Sequence, residues 1–278
     1  VSAGTVREAL EAATDGLRAA SVDSPRLDAE LLLAEATGSD RASLTAGSDD
    51  PVDAAAARRF GEMVRRRIRR EPVAYILARK GFRNIELTVD QRVLIPRPET
   101  EHLVELALEL EPLAVLEVGT GSGAVALAIA DELPMASVVA TDTSERALAV
   151  ARANAASLGL ADRVRLELGS LPADGSFDLL LANLPYVSEA DWAGLEPELR
   201  EFEPYAALVA GPTGLEAIDS VIGALSLASS LSARAVGLEV GEGQAASAAE
   251  ILRRAGYERV GTRRDLAGIE RVVVGEAA

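Results

Sequence analysis

The sequence predicts an α/β protein in two parts. Three observations carry that expectation: helical periodicity up to residue 72, strand-like alternation over 73–95, and a regular succession of strands and helices from residue 114 onward. Strands alternating with helices call for a mostly parallel sheet covered on both faces. Two closing strands without a helix between them must form a hairpin, which puts one antiparallel strand into a mixed sheet of seven. The expected domains are a helical one over 1–72, a β-hairpin linker over 73–95 and an α/β domain over 96–278.

In the first part, residues 5–20 carry apolar side chains at Val6, Leu10, Ala13, Leu17 and Ala20, which is helical spacing. Ser24 and Pro25 read as N-cap and first helical residue of a second helix that closes at Gly38. A third runs over 53–70 and stops at Pro72. Residues 73–77 and 81–89 are read as paired strands with a turn at 79–81. The sheet is then expected from strands at 114–118, 137–141, 164–168, 177–182, 235–240, 257–264 and 270–274. Helices at 123–133, 144–158, 214–231 and 244–255 connect them.

With 49% hydrophobic residues in 278, the chain can bury a full core. It has no cysteine, so disulfides and thiolate metal sites are excluded, and its one histidine, His102, cannot build a His-rich metal centre. The absence of cysteine agrees with a reducing cytoplasm. No apolar run approaches the roughly 20 residues that span a bilayer, and the opening Val-Ser-Ala-Gly followed by acidic, helical sequence does not read as a signal peptide. The net charge of −16 is unevenly divided: residues 1–75 hold 11 Arg and 13 acids, the remainder 17 Lys or Arg and 31 acids. A catalytic part that acidic repels a phosphate backbone, so a nucleic-acid substrate is disfavoured and no direct nucleic-acid partner is expected.

The first chemical motif is Leu116-Glu-Val-Gly-Thr-Gly-Ser-Gly123 between a strand and a helix. Glycines at 119, 121 and 123 permit a tight turn and let a ligand lie against bare backbone. Such a turn is shared by dinucleotide binders and by plain helix–strand contacts. Here the spacing is G-x-G-x-G with Glu117 ahead of it, and Asp142 ends the next strand, where a carboxylate can accept both ribose hydroxyls of an adenosine. Asp142 as a mere helix cap is the bland alternative. The combination points to S-adenosylmethionine rather than NAD.

The second motif is Asn183-Leu-Pro-Tyr186, at the end of the strand beginning at Phe177. It resembles the [DN]-P-P-[YFW] tetrad of methyltransferases acting on planar nitrogens, with Leu184 in place of the first proline. An amide nitrogen is a poor nucleophile because its lone pair is delocalised into the carbonyl. Acceptors that grip its N–H groups favour a localised lone pair and hold the nitrogen in line. The Asn183 side-chain oxygen and the Leu184 carbonyl are the expected acceptors, with Tyr186 packed on the flat amide. The bland alternative is an Asn-x-Pro turn closing a strand.

Together with Glu71-Pro-Val-Ala-Tyr-Ile76, Leu94-Ile-Pro-Arg-Pro-Glu-Thr-Glu101 and Phe202-Glu-Pro-Tyr-Ala-Ala-Leu-Val-Ala-Gly-Pro-Thr-Gly-Leu215, these motifs make the chain resemble the release-factor glutamine methyltransferase family over nearly its whole length. The resemblance implies a Rossmann-like class I S-adenosylmethionine-dependent methyltransferase domain and a helical domain that docks class 1 peptide chain release factors. The substrate it implies is the glutamine of the Gly-Gly-Gln tripeptide. Carried onto this sequence, Gly119, Thr120, Gly121, Ser122, Gly123 and Asp142 hold the cofactor, with Ser170 and Leu171 near adenine and Asn183 beside the methyl. Asn183, Leu184, Pro185 and Tyr186 grip the glutamine, and the segment from Arg97 to Glu101, with Arg97 and Glu99, lines the mouth; its bland alternative is a helix N-terminus with Glu99 and Glu101 favouring the dipole. Where the family has Gly-Asp after the third strand, this chain has Gly169-Ser170. The arginines at 58, 59, 65, 66, 67, 69 and 70 are expected either to meet an acidic partner or ribosomal nucleic acid, or to form a solvated helix face. His102 is expected on a helix surface without a partner. Alternative functions are a ribosomal-protein glutamine methyltransferase, an N6-adenine methyltransferase, and a cofactor-binding module inactivated at Leu184.

Overall fold

The computed structural model describes residues 3–277; the two residues before these and the one after, which the expected domains include at their outer ends, lie outside the described residues. The chain divides into two compact units.

The first unit comprises residues up to 78 together with 196–202. Its helices are α1 (Val6–Ala19), α2 (Pro25–Thr37), α3 (Arg41–Ala46), α4 (Ala54–Ile68) and α5 (Val73–Leu77), joined by α9 (Pro197–Phe202) from later in the chain. The Thr5 hydroxyl accepts from the Glu8 amide while the Glu8 carboxylate accepts from the Thr5 amide, a reciprocal cap that starts α1. Pro25 opens α2 and Gly38, at φ +69°, closes it in the left-handed region. Leu17, Leu32 and Leu33 are wholly buried between these helices, each contributing about 1.5–3 kcal/mol. Strands β1 (Ala3–Thr5) and β2 (Pro51–Val52) form a two-stranded ribbon beside them.

Two sequence expectations change here. Residues 73–77 are helix, not strand: the Pro72 carbonyl accepts from the Tyr75 and Ile76 amides at 3.0 Å each, and Ile76 packs into the core of the helical unit. A five-residue apolar run does not by itself separate strand from helix. The hairpin is therefore shorter and later, β3 (Arg79–Phe82) with β4 (Ile85–Thr88), and turns at Arg83 (φ +50°) rather than at 79–81. The arginines of α4 also divide. Arg67 is buried and donates to Asp28 and Glu198 at 2.7 Å each, Arg70 donates to Glu198 at 2.6 Å, and Arg66 pairs with Glu71 at 2.6 Å. Arg59 donates to the Ala36 carbonyl. Arg58, Arg65 and Arg69 stay exposed. Part of the run is thus internal scaffold rather than a free cationic face.

The second unit, from Arg79 to Leu195 and from Glu203 onward, holds the large sheet. Its strands are β5 (Ala114–Val118), β6 (Ser137–Asp142), β7 (Val164–Leu168), β8 (Gly175–Ala182), β11 (Leu231–Glu239), β12 (Arg259–Arg264) and β13 (Glu270–Glu276). They lie in the order β12-β13-β11-β8-β5-β6-β7, and only β13 runs against its neighbours. The mixed seven-stranded sheet ending in a hairpin is as the sequence predicts. Helices α6 (Glu101–Leu110), α7 (Ala124–Glu132), α8 (Glu145–Ser157), α11 (Glu216–Leu227) and α12 (Ala245–Arg254) belong to the same unit. β8 and β11 start earlier than expected, at Gly175 and Leu231, because Leu231 pairs with Gly175 and its side chain is buried. Short pieces with no strong periodicity escaped the sequence reading: α3, α9, α10 (Tyr205–Leu208), and the paired β9 (Val187–Ser188) and β10 (Val209–Gly211).

Asn154 on α8 ties the hairpin to the glycine-rich loop. Its side chain accepts from the Thr88 amide at 2.8 Å and donates to the carbonyls of Thr88 and Ser122 at 3.0 and 2.9 Å, in a fully buried position. Asn154→Ala leaves three backbone groups without partners, so unfolding by denaturant is expected to show a loss of roughly 2–4 kcal/mol. A loss under about 0.5 kcal/mol, the range of an ordinary surface change, would show that the bridge is dispensable.

Candidate active site

The register of the central strands puts the chemistry in one row. Val118 of β5 pairs with Thr141 of β6 and with Ala182 of β8, and Ala182 pairs with Leu238 of β11. The next residue on each strand path is Gly119, Asp142, Asn183 and Glu239. Ligands of open α/β sheets bind beyond these carboxyl ends, and a cavity of about 350 Å³ opens there.

The floor of the cavity is the turn after β5. Gly119, Gly121 and Gly123 sit at φ +77°, +57° and +86°, where side chains are strained. The amides of Gly119 and Thr120 donate to the Thr141 carbonyl at 2.9 and 3.0 Å, which pins the turn to β6. A Cβ on Gly121 would meet no heavy atom within 4 Å, so this glycine leaves bare backbone toward the cavity. Glu117, buried beneath the turn, accepts from the Thr120 hydroxyl at 2.6 Å and the Ala126 amide at 3.0 Å. Burial pushes its carboxyl up to about 7 despite those bonds, with Asp142 adding to the rise.

Asp142 lines the cavity and accepts from the Gly121 amide at 2.9 Å and the Ser144 amide at 2.8 Å. Ser144, not Asp142, caps α8 by accepting from the Ala147 amide. Each Asp142 oxygen keeps acceptor capacity beyond its one backbone bond. Ser170 also lines the cavity, its carbonyl held by the Thr141 hydroxyl at 2.9 Å. Leu171 does not line it but packs on the sheet core. Gly123 likewise lies behind the cavity, a Cβ there meeting Leu127.

Asn183, Leu184 and Pro185 line the cavity. The Asn183 Nδ2 donates to the Thr100 hydroxyl at 2.9 Å, which leaves its side-chain oxygen as the free end of the amide. The Leu184 side chain is buried against the glycine turn, with a methyl 3.1 Å from where a Cβ of Gly119 would stand. Leucine therefore fills core space at this tetrad position. Tyr186 does not line the cavity. Its carbonyl accepts from Gln244 at 2.9 Å and its ring lies over the backbone of Gly241. Gln244 closes that tie by accepting from the Gly241 amide at 2.9 Å. Burial raises the Tyr186 hydroxyl above its ordinary value.

The Ile95-Pro-Arg97 segment edges the same cavity through Pro96 and Arg97, whereas Glu99 is not among the lining residues. Arg97 forms a close ion pair with the buried Glu203, whose other oxygen accepts from the Ile95 amide at 3.0 Å. Thr100 lines the cavity, and Glu203 and Gln244 hold Arg97 and Tyr186 beside it; none of the three was named as a site residue from the sequence. Two had a signal, since Thr100 lies within Leu94–Glu101 and Glu203 within Phe202–Leu215, both noticed as motifs. His102, expected to have no partner, has its Nδ1 2.8 Å from Glu105. The residue one turn along the helix is close enough to meet it. Among the described residues no group of three or more His, Cys, Asp or Glu could hold a metal, and no helix is long and apolar enough to cross a membrane.

Residues 8–77 match the family model of the PrmC N-terminal domain, and residues 115–202 that of a methyltransferase domain. Among solved structures, the catalytic domain of hMettl16 in complex with the MAT2A 3′UTR hairpin 1 superposes with a TM-score of 0.57 at 17% identity, over 74% of this chain and 79% of that one. A methyltransferase from Pyrococcus furiosus gives 0.52 at 19% identity, over 71% and 91%. Both show the fold. Curated relatives are much nearer in sequence. The release factor glutamine methyltransferase of Nitratidesulfovibrio vulgaris is 40% identical over 98% of this chain and 95% of its own. That of Cereibacter sphaeroides is 40% identical over 96% of each. Identity at this level, sustained from end to end of both proteins, means that this chain belongs to the release factor glutamine methyltransferase family.

Proposed function

We propose that this protein transfers a methyl group from S-adenosylmethionine to the side-chain amide nitrogen of the glutamine in the Gly-Gly-Gln motif of class 1 peptide chain release factors. The observation that carries the reading is Asn183 at the cavity wall. Its amide is fixed through Nδ2 by Thr100 while its oxygen is left as an acceptor, one residue from the Leu184 carbonyl.

The residues present fit the cofactor. Bare backbone at Gly121 admits close approach, and Asp142 has lone pairs to spare for two ribose hydroxyls. Ser170 stands on the same wall, on the side assigned to adenine. Bound there, the cofactor supplies an electrophilic methyl: the N–C bond forms as the C–S bond breaks, and the amide proton passes to water. The chain's part is to hold the acceptor nitrogen. Asn183 Oδ1 and the Leu184 carbonyl take the N–H groups and orient the lone pair, so rate comes from positioning and electrostatic fit rather than from a strong base. Pro185 limits backbone freedom beside these acceptors. Tyr186 is held beside the tetrad by Gln244, and Arg97 is steadied by Glu203.

The helical unit is the docking module for the release factor in this reading, and exposed Arg58, Arg65 and Arg69 on α4 are its cationic contacts. The reaction belongs to the cytoplasm, where release factors work. A nucleic-acid acceptor is disfavoured by the 31 acids against 17 cations beyond residue 75. Inactivation at Leu184 is disfavoured because its side chain is accommodated in the core and its carbonyl remains available.

Incubation of the enzyme and labelled S-adenosylmethionine with purified release factor is expected to label the wild-type factor and not one whose Gly-Gly-Gln glutamine is alanine. Equal labelling of both would move the acceptor elsewhere. Asn183→Ala is expected to cut turnover by about 100-fold or more while cofactor affinity, measured calorimetrically, stays near wild type. A variant that mainly loses cofactor affinity would remove Asn183 from the transition state. Asp142→Ala is expected to behave in the opposite way, weakening cofactor binding first; unchanged affinity would take the ribose away from it.

A further inference from the structure

One side chain beside the tetrad commits its whole amide to backbone groups from three separate segments. Gln244 stands at the start of α12, yet its side chain does not cap that helix. It turns back instead. Its Nε2 donates to the Tyr186 carbonyl at 2.9 Å and to the Gly214 carbonyl at 3.4 Å, and its Oε1 accepts from the Gly241 amide at 2.9 Å. A side-chain amide has two donor hydrogens and one acceptor oxygen, so each of these groups is in use. The tie joins the end of the tetrad, the turn before α11 and the turn after β11. Two glycines make room for it. A Cβ on Gly214 would stand 2.7 Å from Nε2, and one on Gly241 would stand 2.9 Å from Oε1 and 3.1 Å from the Tyr186 ring.

We propose that Gln244 is a positioning residue for methyl transfer: by holding the Tyr186 carbonyl it fixes the direction of the Leu184 carbonyl, the second acceptor of the glutamine amide. The inference rests on the roles given to Asn183 and Leu184 above. The tetrad is a span of four residues anchored at both ends. Asn183 is held through Nδ2 by the Thr100 hydroxyl at 2.9 Å, and Tyr186 is held by Gln244 at the same distance. Peptide planes are rigid, so the direction of the Leu184 carbonyl follows from the backbone rotations on either side of it. The Pro185 ring fixes one of them. Leucine at 184 leaves open a φ rotation that a proline ring there would lock, so in this chain the anchor at Tyr186 carries more of the constraint.

A role confined to the turn after β11 is the alternative, and the two roles use different atoms of the side chain. Bracing that turn needs only an acceptor for the Gly241 amide, whereas holding the tetrad needs a donor for the Tyr186 carbonyl. Gln244→Glu keeps the length and the acceptor. Once ionised it has no donor, and it turns a negative oxygen toward the carbonyls of Tyr186 and Gly214. Gln244→Met keeps the length and removes donor and acceptor together. Turnover is therefore expected to fall in the order wild type, Gln244→Met, Gln244→Glu. A brace of the turn alone would place Gln244→Glu above Gln244→Met.

The test is steady-state methyl transfer to purified release factor at about pH 8, well above the ordinary glutamate range, with Gln244→Met, Gln244→Glu, Gly241→Ala and Asn183→Ala. Cofactor affinity is measured beside it by calorimetry. Gln244→Met is expected to lower kcat about 10-fold, with KM for the factor and cofactor affinity within about twofold of wild type. Gln244→Glu is expected to lower kcat further, by about 30-fold or more, again with cofactor affinity kept. Gly241→Ala, whose methyl would push the Gln244 Oε1 aside, is expected to match Gln244→Met. Wild-type kcat in Gln244→Met, a kcat for Gln244→Glu above that of Gln244→Met, or a loss of cofactor affinity as large as the loss of kcat would each overturn the proposal. Gly241→Ala decides the matter if the Gln244 variants do not fold, a wild-type kcat there being the contrary result. Loss of turnover in Asn183→Ala beside unaffected Gln244 variants would refute this inference alone. Full activity of Asn183→Ala would instead bring down the reading of the tetrad beneath it.

Discussion

The site depends on the register of four parallel strands. Because Val118, Thr141, Ala182 and Leu238 stand abreast in β5, β6, β8 and β11, the residues that follow them emerge together at one edge of the sheet. A shift by one residue in any strand would turn its terminal side chain to the other face. Asp142 would then leave the Gly121 amide, or Asn183 would leave Thr100. The buried aliphatic side chains of those strands, such as Leu116, Leu180 and Val236, fix the register, so a packing constraint in the core sets the geometry at the rim. The cofactor and acceptor sites proposed above would thus be two ends of one row.

The row carries acids where hydrophobic residues would stabilise more. Glu117 and Glu239 are both buried and both raised to about 7. Glu117 braces the glycine turn from below through Thr120 and Ala126. Glu239 stands beside the tetrad strand, because Leu238 before it pairs with Ala182. Buried carboxyls cost stability unless their hydrogen bonds are made, and Glu239 keeps one oxygen unpaired. Outside the row, bonding is more complete: Glu203 uses both oxygens to hold Ile95 and Arg97.

Much of this was legible in the residues. Strand–helix alternation, the G-x-G-x-G turn and Asp142 at a strand end are local patterns, and each has a local physical cause: pleat, positive φ and strand direction. The tetrad was legible for the same reason. What escaped depends on contacts between distant positions. Nothing near Asn183 in sequence announces that Thr100, far back in the chain, will accept from its amide, and Gln244 meets Tyr186 only because the turn after β11 passes the tetrad. The strand reading of 73–77 went wrong where a short apolar run fits both states and burial among helices decides between them. The same holds for α4, whose arginines look alike in sequence yet divide into buried partners of Asp28 and Glu198 and an exposed set. Leu184 reads as a departure from the tetrad until its side chain is seen filling the space under Gly119.

The central claim is that the end of β8 presents two acceptors to an amide held beside the cofactor cavity. A crystal structure of the protein with S-adenosylhomocysteine and a Gly-Gly-Gln peptide measures this most directly. The account predicts the glutamine amide nitrogen within hydrogen-bond reach of Asn183 Oδ1 and the Leu184 carbonyl, with the cofactor ribose on Asp142 and its sulfur in line with that nitrogen. A glutamine bound away from Asn183, or a cofactor whose ribose leaves Asp142 untouched, would contradict it.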